Sequence, residues 1–188
     1  MPDYLFSTAT CIATLLCIPI TYVTFKSAGH PWATAILIGW IFIGNLLMFL
    51  DSIIWMDGSP DDWWEGQIYC DINSRIKSAF PIGVPGAAVG MCRFLADATN
   101  PNFGPEQMES NRWKRNMFDF TFGIILPLVN AGLKFIVNPR RYGIFGVYGC
   151  TGLTDLVWPA IPLYWIWTPI LSLTAALYAC IPAFSFHY

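Results

Sequence analysis

Asp51, Asp71, Arg75, Lys77 and Lys134 are charged residues set inside, or at the ends of, long apolar stretches. A charge at the centre of a bilayer helix costs roughly 2.5–3.5 kcal/mol on insertion scales, and less near the interface. Such side chains therefore face protein or water, and by default they suggest a binding site. Asp71 and Arg75 lie four apart with the acid first, the favourable order for an ion pair along one helix face. An acid also suits a helix N-terminus. They are candidates to line a pocket; the plainer reading is an interfacial pair that reaches the headgroups. Lys77 points to a different side of the helix from Arg75, so at least one base must meet a partner helix or the headgroups. Asn73, four residues before Lys77, can bond to it. Asp51 can pair with a base of the third apolar segment or with Lys134. Asn45 lies mid-segment beside Gly44, and its amide needs a partner. An interhelical bond of that kind is worth about 0.6–2 kcal/mol.

Enzyme chemistry finds no support. The two histidines, His30 and His187, stand too far apart for a histidine-box metal centre. No Gly-rich phosphate loop, Ser-His-Asp set or His-Glu-x-x-His motif is present. The six cysteines contain no Cys-x-x-Cys pair, so no zinc spacing appears. The expectation is a protein that is not an enzyme and carries no cofactor and no metal. A net charge of −2 gives no basic face for nucleic acid.

The elements that must position these residues are membrane helices. Only 12% of residues are charged, half the roughly 25% of soluble domains, and the mean hydropathy is +0.50. Proline, at 14 residues, is tolerated in membrane helices, where neighbours satisfy the freed carbonyls. Five segments approach the ~20 apolar residues needed to span: about 4–25, 32–56, 68–95, 117–137 and 156–181. The fold class expected is an all-α membrane protein, a transmembrane helix bundle. Lys26, Arg112, Lys114 and Arg115 lie in the first and third loops, with Arg93 at the end of the third helix. The second loop holds no Lys or Arg, while Arg140 and Arg141 in the fourth are a partial exception. This bias puts the first and third loops in the cytosol and the N-terminus outside. Trp32, Trp55, Trp63, Trp64, Trp113 and Trp158 fall where aromatic belts would sit. Cys11, Cys17, Cys92 and Cys180 read as small thiols buried in apolar segments.

Several stretches together resemble fungal mating-pheromone receptors of the a-factor type, a branch of the seven-helix G-protein-coupled receptors. They are Asp51-Ser-Ile-Ile-Trp55, Trp63-Trp64, Tyr69-Cys70-Asp71-Ile72, Ser74-Arg75-Ile76 and Ile82-Gly-Val-Pro-Gly86. Leu126-Pro127, the run Phe135-Ile-Val-Asn-Pro-Arg-Arg141-Tyr142-Gly-Ile144, Gly149-Cys150 and Trp158-Pro159 extend the match over most of the chain. The resemblance implies a plasma-membrane, multi-pass receptor that binds a secreted lipopeptide pheromone, prenylated at its C-terminal cysteine. It also implies coupling to a heterotrimeric G protein. Asp51, Asp71, Arg75, Lys77 and Lys134 become candidate ligand-binding residues. Arg93, Arg112, Lys114 and Arg115 become a surface facing the G protein or anionic lipids.

Similar receptors have a cysteine at the positions of Cys70 and Cys150, and both fall on the outer side, where the compartment is oxidising. A bridge would pin the long loop over the mouth of the bundle. The Pro81, Gly83, Pro85, Gly86 cluster invites a kink in the third helix, as a static bend or a hinge. Pro159, Pro162 and Pro169 leave the same choice in the fifth. The loop around Asn138, Arg140, Gly143 and Gly146 departs from the family pattern, which puts ordinary ligand selectivity in doubt. Seven helices are implied and the sequence stops at Tyr188, after the fifth, so a truncated form is expected. The alternative is a non-signalling product or a transporter-like membrane protein.

Overall fold

In a computed structural model the protein is a bundle of membrane-type helices closed at one end by a small hairpin. The structure describes residues 2–26, 32–55, 64, 66–99, 110, 112–137, 142–153, 158 and 160–185. The acidic loop 57–62, Trp63, Arg140, Arg141, Pro159 and the expected start of the fifth segment at 156–157 lie outside them.

Helix α1 spans Pro2–Lys26, α2 Trp32–Ile54 and α3 Gln67–Thr99. Helix α4 runs without a break through Arg112–Phe120, a π turn at Thr121–Ile125, and Leu126–Val137. Helix α5 opens on a second π turn, Ile161–Trp165, and continues as Trp167–Ser185. Among the described residues, four stretches are long and apolar enough to cross a membrane: Tyr4–Thr24, Trp32–Ile54, Gln67–Thr99 and Arg112–Lys134. Trp167–Cys180 is apolar but shorter.

Helix α4 starts five residues earlier than the apolar pattern predicts. Arg112, Lys114 and Arg115 therefore stand on a helix and not in a loop. Arginine and lysine are good helix formers, and hydropathy alone does not register a polar first turn. Helix α3 similarly continues to Thr99, whose hydroxyl donates back to the carbonyls of Leu95 and Ala96.

Helix α3 is the axis. Its buried face runs from Cys70 through Ser74, Ser78, Ile82 and Gly86 to Gly90, and it touches α2, α4 and α5. On one side Ile36, Trp40, Ala79, Ala87 and Ala131 form a core. On the other, Ile82 and Val89 meet Tyr164 and Leu171 of α5. Gly86 lies against the carbonyl oxygen of Phe122, and a Cβ there would overlap that backbone. The glycine is what lets α3 and α4 approach so closely.

The prolines do not break α3, which is helical throughout. Pro85 has no N–H to give the carbonyl of Pro81, one turn back. The Thr168 hydroxyl of α5 donates to that oxygen at 3.1 Å. Pro127 likewise gives nothing to Gly123 in the π turn of α4, and the Trp40 indole N–H of α2 donates there at 2.7 Å. In both cases another helix supplies a donor to the carbonyl that proline leaves.

Two expectations about polar side chains change. Asn45 donates to the Ile41 carbonyl of its own helix at 2.8 Å, so its amide is satisfied locally by a turn of backbone. The four remaining cysteines are not core thiols. Cys11, Cys17 and Cys92 are half-buried and Cys180 is exposed, because they fall on outward-facing stripes.

The segment between α4 and α5 contains a hairpin that hydropathy does not reveal. Strand β1, Gly143–Phe145, pairs antiparallel with β2, Gly149–Thr151, and a short 3₁₀ turn, Gly146–Tyr148, joins them. Ile144 faces Cys150 in the register.

Candidate ligand site at the hairpin end

Asp51 is the centre of the hairpin end. It sits in the last turn of α2 and is wholly buried. Tyr69, Asn73 and Lys77 are spaced four residues apart on α3, so one helix face presents all three to it. The Tyr69 hydroxyl donates to Asp51 Oδ1 at 2.8 Å. The Asn73 amide donates to Oδ1 at 2.6 Å and to Oδ2 at 2.9 Å. Lys77 Nζ forms an ion pair with Oδ2. A buried carboxylate is tolerable only when paired and hydrogen-bonded, and here both oxygens are occupied. Asn73 thus bonds to the same acid as Lys77 and not to the lysine itself.

Lys77 also fastens the hairpin. Its ammonium donates to the Tyr148 carbonyl at 2.6 Å and the Cys150 carbonyl at 3.3 Å. Cys150 is joined to Cys70 by a disulfide, with Cα atoms 5.2 Å apart. Gly149 completes the fit. Its φ of +63° is one that side-chain-bearing residues rarely adopt, and a Cβ would run into the Asp51 side chain. Trp55 packs over both cysteines, and its indole N–H donates to the Trp64 carbonyl at 3.3 Å. Tyr69 lies between Trp55 and Trp64, with ring centroids 6.0 and 6.2 Å away. On the other flank the Ser52 hydroxyl meets Ser7 of α1 at 3.0 Å, and Phe6 packs on Tyr148 at 5.5 Å.

Beside this plug lies a cavity of about 320 Å³ between α3, α4, α5 and β2. Lys77, Ser78, Lys134, Thr151, Tyr164 and Trp165 line it. The π turn at Ile161–Trp165 brings two consecutive aromatics to its wall. Such turns are frequent at functional sites.

The five charged candidates therefore divide. Lys77 and Lys134 reach the cavity, and Asp51 is sealed under the hairpin as the partner of Lys77. Asp71 is half-buried on α3. Arg75 is exposed, on the same stripe as Ile68 and Ile72. That stripe faces away from α2 and the hairpin, so Arg75 does not line the cavity. Helical phase decides this: 69, 73 and 77 share one face, and 68, 72 and 75 share another.

At the opposite end, Arg112 and Lys114 are exposed and Arg115 is half-buried. Arg93 stacks on the Phe118 ring at 4.6 Å, and Arg115 on Phe94 at 5.2 Å. Asp119, which the charge pattern did not single out, is buried there. Its carboxylate lies over Gly90, which also packs against Ala33 at the start of α2. An acid just inside the expected fourth span, 117–137, was the available signal.

The family model for the pheromone A receptor (STE3) matches residues 5–188. The chain is 28% identical over 157 residues to the pheromone a factor receptor of Saccharomyces cerevisiae, covering 81% of this chain and 32% of that protein. It is 25% identical over 167 residues to the pheromone B beta 1 receptor of Schizophyllum commune, covering 84% and 30%. It is 25% identical over 161 residues to the pheromone M-factor receptor of Schizosaccharomyces pombe, covering 85% and 42%. The chain thus spans well under half the length of these relatives. No solved structure matches it.

Proposed function

Because this chain belongs to the pheromone A receptor (STE3) family, we propose that it supplies helices to a seven-helix G-protein-coupled receptor for a secreted, prenylated peptide pheromone. The observation that carries the reading is the hairpin end. A disulfide and a buried ion pair hold β1–β2 against α2 and α3, and a part-polar cavity opens beside them. Rigid support around a concave, mixed polar and apolar site is what ligand recognition requires. The hairpin end is the outer one and the N-terminus lies outside the cell, in the plasma membrane. The Lys/Arg bias of the loops supports that orientation. The prenyl chain enters from the bilayer side, and the peptide meets the cavity. At the cytosolic end, Arg93, Arg112, Lys114 and Arg115 form the basic surface for the G protein and anionic lipid.

A chimera tests this. Residues 1–188 replace the matching region of the Saccharomyces cerevisiae a factor receptor, in cells that carry the pheromone pathway and no other receptor. A mating-pathway reporter is then read against prenylated, methyl-esterified peptides and their unprenylated forms. The expected result is a response that requires the prenyl group. A surface-expressed chimera that answers no prenylated peptide, or answers both forms equally, counts against the proposal.

A further inference from the structure

We infer that the lateral groove between α2 and α4 holds one acyl chain of an anionic glycerophospholipid, with its phosphate against Arg112. The groove is a cavity of about 450 Å³, lined by carbon almost throughout. Ile36 and Trp40, both core residues, form its floor. Trp32 and Ile43 of α2 and Phe120 and Leu128 of α4 form its walls, and each is more than a third exposed. The groove therefore opens sideways, on the outside of these helices. Gly39 keeps it open, because a Cβ there would meet nothing within 4 Å. Trp32 and Ile43 stand eleven residues apart, a rise of about 16 Å along the helix. That is roughly half of the ~30 Å hydrocarbon layer, the depth of one leaflet. A straight apolar chain in such a slot makes the dispersion contacts that an empty groove forgoes.

Charge decides which lipid. Trp32 and Phe120, with ring centroids 5.5 Å apart, mark the end of the groove nearest the start of α4. Trp113 stands two helical turns before Phe120, on the same stripe, and is 73% exposed. An aromatic at that position suits the membrane interface. Arg112, next to it in the chain, is exposed, as is Lys114 on the further flank. The span Arg112–Val137 contains one acid, Asp119, and that side chain is buried over Gly90 of α3. Among the described residues the rim at this end is therefore cationic, at the depth where headgroups begin. A guanidinium meets a phosphate through a two-bond fork, and the cytoplasmic leaflet carries the anionic lipids. The inference rests on the receptor reading only for that leaflet. An apolar slot one leaflet deep with an arginine at its polar end matches an anionic phospholipid in both of its parts.

Native mass spectrometry tests this, with the protein in detergent micelles titrated with dioleoyl phosphatidylserine or dioleoyl phosphatidylcholine. The two lipids share their chains and differ in net charge. The expected result is one tightly held lipid per chain, with phosphatidylserine preferred roughly fivefold, as one basic residue near the surface would give. Arg112→Gln should reduce that preference below about twofold while one lipid is still held. Gly39→Leu fills the slot and should remove the tightly held lipid of either kind, whereas Gly39→Ala should keep it. Equal affinity for the two lipids overturns the inference, as does a preference that survives Arg112→Gln or an occupancy that survives Gly39→Leu. A dimer that binds no lipid and that Gly39→Leu dissociates also overturns it, because the groove is then an interface between copies. The same titration on the chimera with the Saccharomyces cerevisiae receptor completes the test. Loss of the lipid there means that a further helix fills the groove, and overturns the inference. A chimera that holds phosphatidylserine through Arg112 but answers no pheromone supports the lipid site and counts against the receptor reading, so the two failures are separable.

Discussion

Trp40 and Gly123 are joined by a 2.7 Å hydrogen bond from indole N–H to backbone carbonyl, and the bond lies where Pro127 has withdrawn a donor. The Trp40 ring also packs edge-on against Phe80 of α3, with centroids 5.8 Å apart. One side chain of α2 thus contacts α3 and satisfies α4 at its π turn. Substituting Trp40→Phe keeps an aromatic ring and removes the donor. The expected loss is about 0.5–1.5 kcal/mol, the usual net worth of such a bond. Thermal unfolding in mixed micelles reads it as a lower midpoint. An unchanged midpoint would mean that the carbonyl finds another donor.

Lys77 and Asp51 should behave as a coupled unit. Removing one member of a buried pair costs about 3–5 kcal/mol, because the other is left charged and unmatched. Lys77→Met and Asp51→Asn should each destabilise strongly, and the double variant should lose less than their sum. A double-mutant cycle on unfolding free energies checks this. Additive losses would show that the two side chains act independently.

The disulfide should contribute about 2–4 kcal/mol. Cys70→Ser, Cys150→Ser and the double variant are expected to lose equal stability. Reductant should bring the native protein to the same level and leave the variants unchanged. Unequal single variants would point to a role for one thiol outside the bridge.

Glycine positions provide a contrast on one chain. Gly149→Ala introduces a Cβ at positive φ and against Asp51, with an expected cost of about 1–3 kcal/mol. Gly132→Ala on α4 meets nothing within 4 Å and should stay within about 1 kcal/mol of the native protein, since alanine is the better helix former. The same unfolding assay ranks them, and a reversed order would refute the hairpin fit.

Hydropathy located the long helices because twenty apolar residues in a row have few alternative uses. It lost the start of α4, where Arg112, Lys114 and Arg115 make the first turn polar. It also lost the hairpin, whose strands are three residues each and rich in glycine. Depth along α2 was enough to say that Asp51 needs a base from α3 or Lys134. Choosing Lys77 required the helical phase that puts Tyr69, Asn73 and Lys77 on one stripe and Arg75 on another. Asn45 shows the opposite case: an amide read as a link between helices closes on its own backbone. Asp119 was missed because a lone acid has no spacing to betray its neighbours, Gly90 of α3 among them.

Two of the carbonyls released by proline also impose a timetable on biogenesis. Chains are made from the N-terminus. When α4 enters the bilayer, Trp40 is already present to meet Gly123. The Pro81 carbonyl of α3, by contrast, must wait for Thr168, which is synthesised 87 residues later. Until then α3 carries a poorly satisfied polar group in hydrocarbon, an arrangement the bilayer penalises. The nascent third helix thus gives the translocon or a membrane chaperone a reason to linger until α5 arrives with Thr168.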